Sequence, residues 1–257
     1  MAVQIDAVAE IQKTFQLLFQ RKNWMLALPI LVGAAVALIV VGIVGVLAFG
    51  SLMGGGLGAM STGDNRAAGG LFAMLFSGLG LLFLVACVVA VVAGMFGYAW
   101  AYAAAEPVWQ GSDPDISGGF SKAMGKLPQL IVLGLIFGVV FLFLGWTVIV
   151  PLLVLLFCAY ALPYIIQGNQ SATGAISASI NLAKNNMGPT AMLVLAVIVV
   201  SLVVGLVSGI FGLIPLLGWI IQIAASALVG AFNILAIMRW YNLLTGTPAA
   251  SAPATTT

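Results

Sequence analysis

Few residues of this chain could do acid–base, nucleophilic or metal chemistry. There is no histidine, which removes the commonest general base, the commonest metal ligand and the usual haem axial ligand. Three of the six acidic residues, Glu106, Asp113 and Asp115, fall in one polar stretch, residues 106–128, EPVWQGSDPDISGGFSKAMGKLP. Asp113 and Asp115 could share a cation. Carboxylates in a Ser/Pro/Gly loop more often form turns and caps, and Asp115, directly before ISGGF, reads as a helix N-cap. Glu106, next to Pro107, reads as a marker of the end of an apolar run rather than a proton relay. Cys87 and Cys158 each sit inside an apolar run and read as small buried hydrophobes. These residues yield no catalytic, metal-binding or cofactor-binding assignment, and the expectation is a non-enzymatic, cofactor-free protein.

The remaining polar candidates lie inside apolar runs. Gln222 and Asn233 are eleven residues apart, which brings them to nearly the same face of a helix. Interhelical hydrogen bonding is the simplest role for such a pair, and contact with a neutral or lipid-like ligand is the alternative. Gly134 with Gly138, Gly205 with Gly209, and Ser226 with Gly230 form small-xxx-small faces, which let helix backbones approach closely in lipid. They predict tight helix packing, expected within the chain rather than between subunits.

Stepping from these residues to the elements that carry them, 63% hydrophobic and 5% charged residues, with a mean hydropathy of +1.23, identify a membrane as the solvent. A net charge of +2, with no basic cluster larger than Arg21 and Lys22, excludes nucleic acid as a partner. Membrane lipids and partner membrane proteins are the expected partners. Uncharged runs predict six transmembrane helices at residues 24–49, 70–104, 129–146, 149–167, 189–212 and 214–239, each long enough for, or close to, the roughly 20 residues that cross about 30 Å of hydrocarbon. The second run is read as one long tilted helix ending in the aromatic belt Tyr98, Trp100, Tyr102 and Trp109. The third and fourth are joined so tightly that a helical hairpin is expected, with Pro163 placing a kink in the fourth.

The resulting fold is all-α: a polytopic bundle of three hairpins, each preceded by a cytoplasmic amphipathic helix. One transmembrane domain covers residues 1–245, and GTPAASAPATTT reads as a disordered tail, residues 246–257. SLMGGGLGAMSTGDNRAAGG, residues 51–70, is rich in glycine and reads as a flexible exposed loop. In the first polar helix Ile5, Val8, Ile11, Phe15, Leu18 and Phe19 recur at helical spacing, with Asp6, Glu10, Lys13 and Gln16 outside the stripe. That helix is expected along the membrane surface or packed on the protein's own loops. The first apolar run, lacking a signal-peptide pattern before it, acts as an uncleaved anchor.

Basic residues set the orientation. Seven of the eight, all but Arg66, fall on the side of the N-terminus, the second and fourth loops and the C-terminus. The positive-inside rule makes that side cytoplasmic, so both termini face the cytoplasm of a cell (inner or plasma) membrane. TFQLLFQRKNW, GFSKAMGKLPQL and AISASINLAKNNMG precede successive hairpins, so the chain reads as three copies of one unit; Gly145-Trp146 and Gly218-Trp219 recur near the outer turns of two of them.

Phe15 in a polar helix, then hairpin, GSDPDISGGF, hairpin, GNQSATGAISASINLAKNN and a last hairpin: this order resembles the YciC-like six-span membrane proteins. It is equally similar to the membrane domain attached to some glycerophosphoryl diester phosphodiesterases. The resemblance covers about residues 8–244 and implies a six-helix membrane domain; the catalytic barrel of the phosphodiesterases has no counterpart here. Within the spans no Asp, Glu, Lys or Arg lies away from the ends, which disfavours charge-coupled transport. The expected function is an accessory or scaffold interacting with lipid or partner membrane proteins, and the alternative is a carrier or permease for a neutral or amphipathic molecule.

Overall fold

The computed structural model describes residues 5–51, 78–147, 149–211, 214 and 217–246. Ten α-helices are found there: α1 (Ala7–Phe19), α2 (Ala27–Ser51), α3 (Gly78–Ala105), α4 (Ile116–Gly125), α5 (Leu127–Leu144), α6 (Ile149–Cys158), α7 (Ala161–Ile166), α8 (Ala172–Asn185), α9 (Met187–Phe211) and α10 (Leu217–Thr245). No strand occurs among the described residues. Five spans are long and apolar enough to cross a membrane, namely Asn23–Leu47, Gly80–Gln110, Ile149–Ile166, Met187–Phe211 and Ile220–Thr245. A sixth is reached when the pair α4 and α5, bent by 73°, is taken as one broken span. The expected glycine-rich loop, the start of the expected second span at residues 70–77, and the tail beyond Gly246 lie outside the described residues.

Local chemistry sets the short polar helices. Asp6 caps α1 by accepting from Ala9 N–H at 3.1 Å, Asp115 caps α4 by accepting from Gly118 N–H at 2.8 Å, and Ser171 caps α8 by accepting from Gly174 N–H at 3.3 Å. After α1 the chain turns through Arg21 at φ +49°, and the Asn23 side-chain amide donates to the Leu17 carbonyl at 2.7 Å, satisfying a helix-end acceptor. Lys126 ends α4, and Pro128 sits in the first turn of α5, where a missing N–H costs nothing.

Packing is densest at the polar end of the long helices. Trp240, Tyr160, Phe232, Leu130, Leu133 and Ile165 are fully buried there. The far halves carry exposed apolar side chains such as Leu38, Val46, Phe143, Leu206 and Ile210, as a surface solvated by hydrocarbon would. The most extensive helix pair is α2 on α3, followed by α9 on α10. The third and fourth spans, expected as a hairpin, share little contact. Instead α5 lies on α3, while α6 lies against α8 and α9. The reason is in α3: Val92 and Met95 present a surface against which Gly134 of α5 fits, 3.2 Å separating Val92 Cγ2 from where a Cβ on Gly134 would stand.

Two of the polar helices lie against the end of the long helix that precedes their own pair: α4 presses on α3, and α8 presses on α6 and α7, while α1 packs on α10. The contact points are small or capped residues on the polar helices. A Cβ on Gly119 would stand 2.6 Å from the Ala104 backbone nitrogen, and Ser179 and Thr14 are completely buried. Three successive units therefore close into a ring, the first resting on the third.

Helix α1 departs from its expected polarity. Glu10, placed outside the apolar stripe by periodicity, is only 8% exposed, and Thr14 and Leu18 are buried beside it. Val8, Phe15 and Phe19 point outward instead. Turned this way, α1 brings Glu10 within hydrogen-bonding reach of Arg239 on α10.

Candidate functional site

Glu10 is the centre of the polar end. Its carboxylate accepts from Arg239 Nε at 2.6 Å and from Lys13 Nζ at 3.1 Å. The Arg239 guanidinium in turn stands 4.9 Å from the centroid of the Trp109 ring, and Trp109 Nε1 donates to the Leu235 carbonyl at 3.2 Å. Burial pushes the Glu10 carboxyl up, but the hydrogen bonds from Arg239 and Lys13 and their two charges outweigh it, so the group is held below its ordinary range. One carboxylate thereby ties α1 to α10, and the cation it holds ties both to the loop after α3.

The three acidic candidates of the polar stretch are occupied in similar ways. Glu106 accepts from Lys122 at 2.6 Å through both carboxylate oxygens, joining the end of α3 to α4. Asp115 caps α4, as its place before ISGGF predicts. Asp113 lies 4.0 Å from Arg21, which donates to the Gly111 carbonyl. All three acids border one shallow cavity of about 390 Å³ with Gln110 and Lys122, yet no group of three or more potential metal ligands occurs among the described residues. Lys126 donates to Asn169 and links α4 to the turn before α8. Chemically, this end of the molecule is a set of inter-segment ties.

Pro163 lies inside α7, and the fourth span is interrupted one turn earlier, between Cys158 and Ala161. Proline has no N–H to give and its ring crowds the carbonyl four residues before it, Ala159. Ser179 of α8 fills the gap: its hydroxyl donates to the Phe157 carbonyl at 2.7 Å and accepts from Tyr160 N–H at 3.1 Å. The Tyr160 hydroxyl then meets Thr190 Oγ1 at 3.2 Å, and Trp240 Nε1 donates to the Pro189 carbonyl at 3.1 Å, fastening α9 to its neighbours. Cys87 and Cys158 are free thiols, half-buried.

The paired polar candidates are not brought together. Asn233 lies within the packed part of α10 with its Oδ1 buried and without a partner, whereas Gln222 is exposed in a groove nearer the far end. That groove holds about 460 Å³ between α2, α3 and α10, and Tyr98 and Ser226 line it with Gln222.

The small-residue candidates divide as well. Gly134 is buried on α3, and Gly230 is buried with the Ile30 side chain 2.8 Å from where a Cβ would stand. Around Gly138, Gly205 and Gly209 nothing lies within 4 Å of such a Cβ, so these three pack against nothing described. The close helix crossing is made by a pair that the motif search missed, Gly33 on α2 and Gly97 on α3. A Cβ on Gly97 would stand 2.7 Å from the Pro29 carbonyl oxygen and 3.1 Å from Gly33 Cα. The available signal was Ala93, Gly97, Ala101 and Ala105 at four-residue steps, a small-residue ridge with only one glycine in it.

Also missed was the cluster of Glu10, Arg239 and Trp109. Any two of its members are at least 99 residues apart, and no short-range pattern could join them. Comparison of the chain with protein-family models, with curated proteins and with solved structures gives no match.

Proposed function

We propose that the chain is a membrane-embedded accessory or scaffold protein without catalytic activity, whose polar helices α1, α4 and α8 form a platform at the cytoplasmic membrane surface. In this reading six spans anchor it in the cell membrane and both termini are cytoplasmic, with α4 lying at the interface and α5 forming the third span. The YciC-like resemblance of the sequence agrees with that arrangement. One observation carries the proposal: charged side chains at the polar end are engaged in tying segments together, while the polar helices turn large apolar side chains outward. Val8, Phe15 and Phe19 on α1 and Phe120 and Met124 on α4 are all exposed. Side chains of that kind at the edge of a bilayer favour burial among lipid headgroups and acyl chains or against another membrane protein.

The test is to extract the full chain from its own cells into nanodiscs and identify what remains bound, alongside a variant with Phe15→Ser, Phe19→Ser and Phe120→Ser. The accessory reading expects a protein or a specific lipid retained by the native chain and lost from the variant. Retention unchanged in the variant would count against it. A carrier for a neutral or amphipathic molecule is the second reading, favoured by the polar-lined groove at Gln222.

A further inference from the structure

The groove between α2, α3 and α10 has a feature that ordinary lipid-facing surface lacks. Its lining includes three hydrogen-bonding side chains, Tyr98, Ser226 and Gln222, none of which has a protein partner among the described residues. On α10, Gln222, Ser226 and Gly230 follow one another at four-residue steps and so form one line along the helix. Gly230 lies beside Tyr98, whose hydroxyl is 3.6 Å from where a Cβ on that glycine would stand. Nine residues separate Gly230 from Arg239 at the polar end, about 13 Å at 1.5 Å per residue, and Gln222 lies about 12 Å farther along. In a membrane-spanning bundle these polar groups extend from the aromatic end of α3 into the hydrocarbon, where an unmet hydrogen bond is costly.

We propose that this groove is a binding site for a single neutral long-chain lipid carrying ester and hydroxyl oxygens, of the diacylglycerol kind. The occupant must be neutral because no charged residue lines the groove. It must carry more than one oxygen, because Ser226 and Gln222 stand one turn apart on α10, about 6 Å along the helix, and Tyr98 adds a third polar group from α3. It is chain-like because Ile30, Ala34 and Leu38, on the α2 side, form a parallel apolar strip at four-residue steps. About 460 Å³ lies within the range of small-molecule sites, and holds a glyceride head with the upper part of its chains. The site does not depend on the accessory reading, since it is distant from the polar platform.

The experiment uses the full chain in nanodiscs with a diazirine-bearing diacylglycerol, and a diazirine-bearing phosphatidylglycerol of the same chains as control. Photolabelling by the diacylglycerol should map to peptides containing residues 30–38 and 222–227. It should fall at least about tenfold in a Tyr98→Phe, Ser226→Ala, Gln222→Leu variant, since one neutral hydrogen bond is worth about fivefold in affinity. A second variant, Ala34→Phe, keeps the polar groups and fills the groove from an exposed position, and should abolish the same labelling. Equal labelling by the two lipids, or labelling unchanged in both variants, would identify ordinary bilayer contact and overturn the proposal.

Discussion

Removing the charge on Glu10 should release α1 from the bundle without unfolding the spans. The pair with Arg239 is well shielded, 17% and 11% exposed at the two side chains, and its 2.6 Å contact is a charge-assisted hydrogen bond. Breaking one partner of a buried pair costs roughly 3–5 kcal/mol, and an exposed pair less than about 1 kcal/mol. For this intermediate case we expect about 2–3 kcal/mol for Glu10→Ala and less for Glu10→Gln, whose amide oxygen still accepts from the guanidinium. Arg239→Gln should cost about as much as Glu10→Ala, because it also removes the cation over Trp109, a contact of about 1 kcal/mol.

The assay is hydrogen exchange of the α1 amides in nanodiscs, and 2 kcal/mol corresponds to a roughly thirtyfold loss of protection. In the double variant Glu10→Ala, Arg239→Gln the two costs should overlap by at least about 1.5 kcal/mol. The depressed pKa adds a sign: the folded-state value lies below the unfolded one, so the stabilisation is complete above the unfolded pKa near 4.5 and fades as pH falls through the folded value. Protection of α1 should therefore drop on acidification in the native chain and not in Glu10→Gln. Additive costs in the double variant, or identical pH profiles, would refute the reasoning.

Other substitutions separate packing from pattern. Gly97→Ala should destabilise the α2–α3 pair by about 1–3 kcal/mol, since backbone atoms of Pro29 and Gly33 cannot make way for the new methyl; reversible unfolding in mixed micelles measures it. Gly205→Ala and Gly209→Ala should stay within about 0.5 kcal/mol in the same assay, and a large effect there would point to a subunit contact. Ser179→Ala leaves both Tyr160 N–H and the Phe157 carbonyl without a partner and should cost about 2–4 kcal/mol, read as faster exchange on both sides of the break. Glu106→Gln, whose partner Lys122 is 38% exposed, should cost no more than about 1 kcal/mol in thermal unfolding.

Composition and uninterrupted apolar runs made the helical class and the approximate limits of the long helices legible, because hydrocarbon admits little else of that length. The cap at Asp115 follows equally from local chemistry. What was not legible depends on partners distant in the chain. Glu10 reads as a solvated residue until Arg239 is brought beside it. Gly205 and Gly209 carry the stronger motif, yet Gly33 and Gly97 make the crossing, because a small residue matters only where another helix arrives. The main packing partners of the third and fourth spans were hidden for a related reason. A short connection fixes where two helices meet at one end but not whether α3 offers one of them a better surface. Pro163 announced a break, and Ser179, which makes the break tolerable, could be found only in three dimensions.

The account rests on the polar end being a docking platform, and co-purification in nanodiscs of the native chain beside the Phe15→Ser, Phe19→Ser, Phe120→Ser variant tests it most directly. The account predicts a stoichiometric partner on the native chain, absent from a variant whose spans remain protected from exchange. A native chain that carries no partner, and that moves a neutral solute across proteoliposomes in a manner abolished by Gln222→Leu, would contradict it.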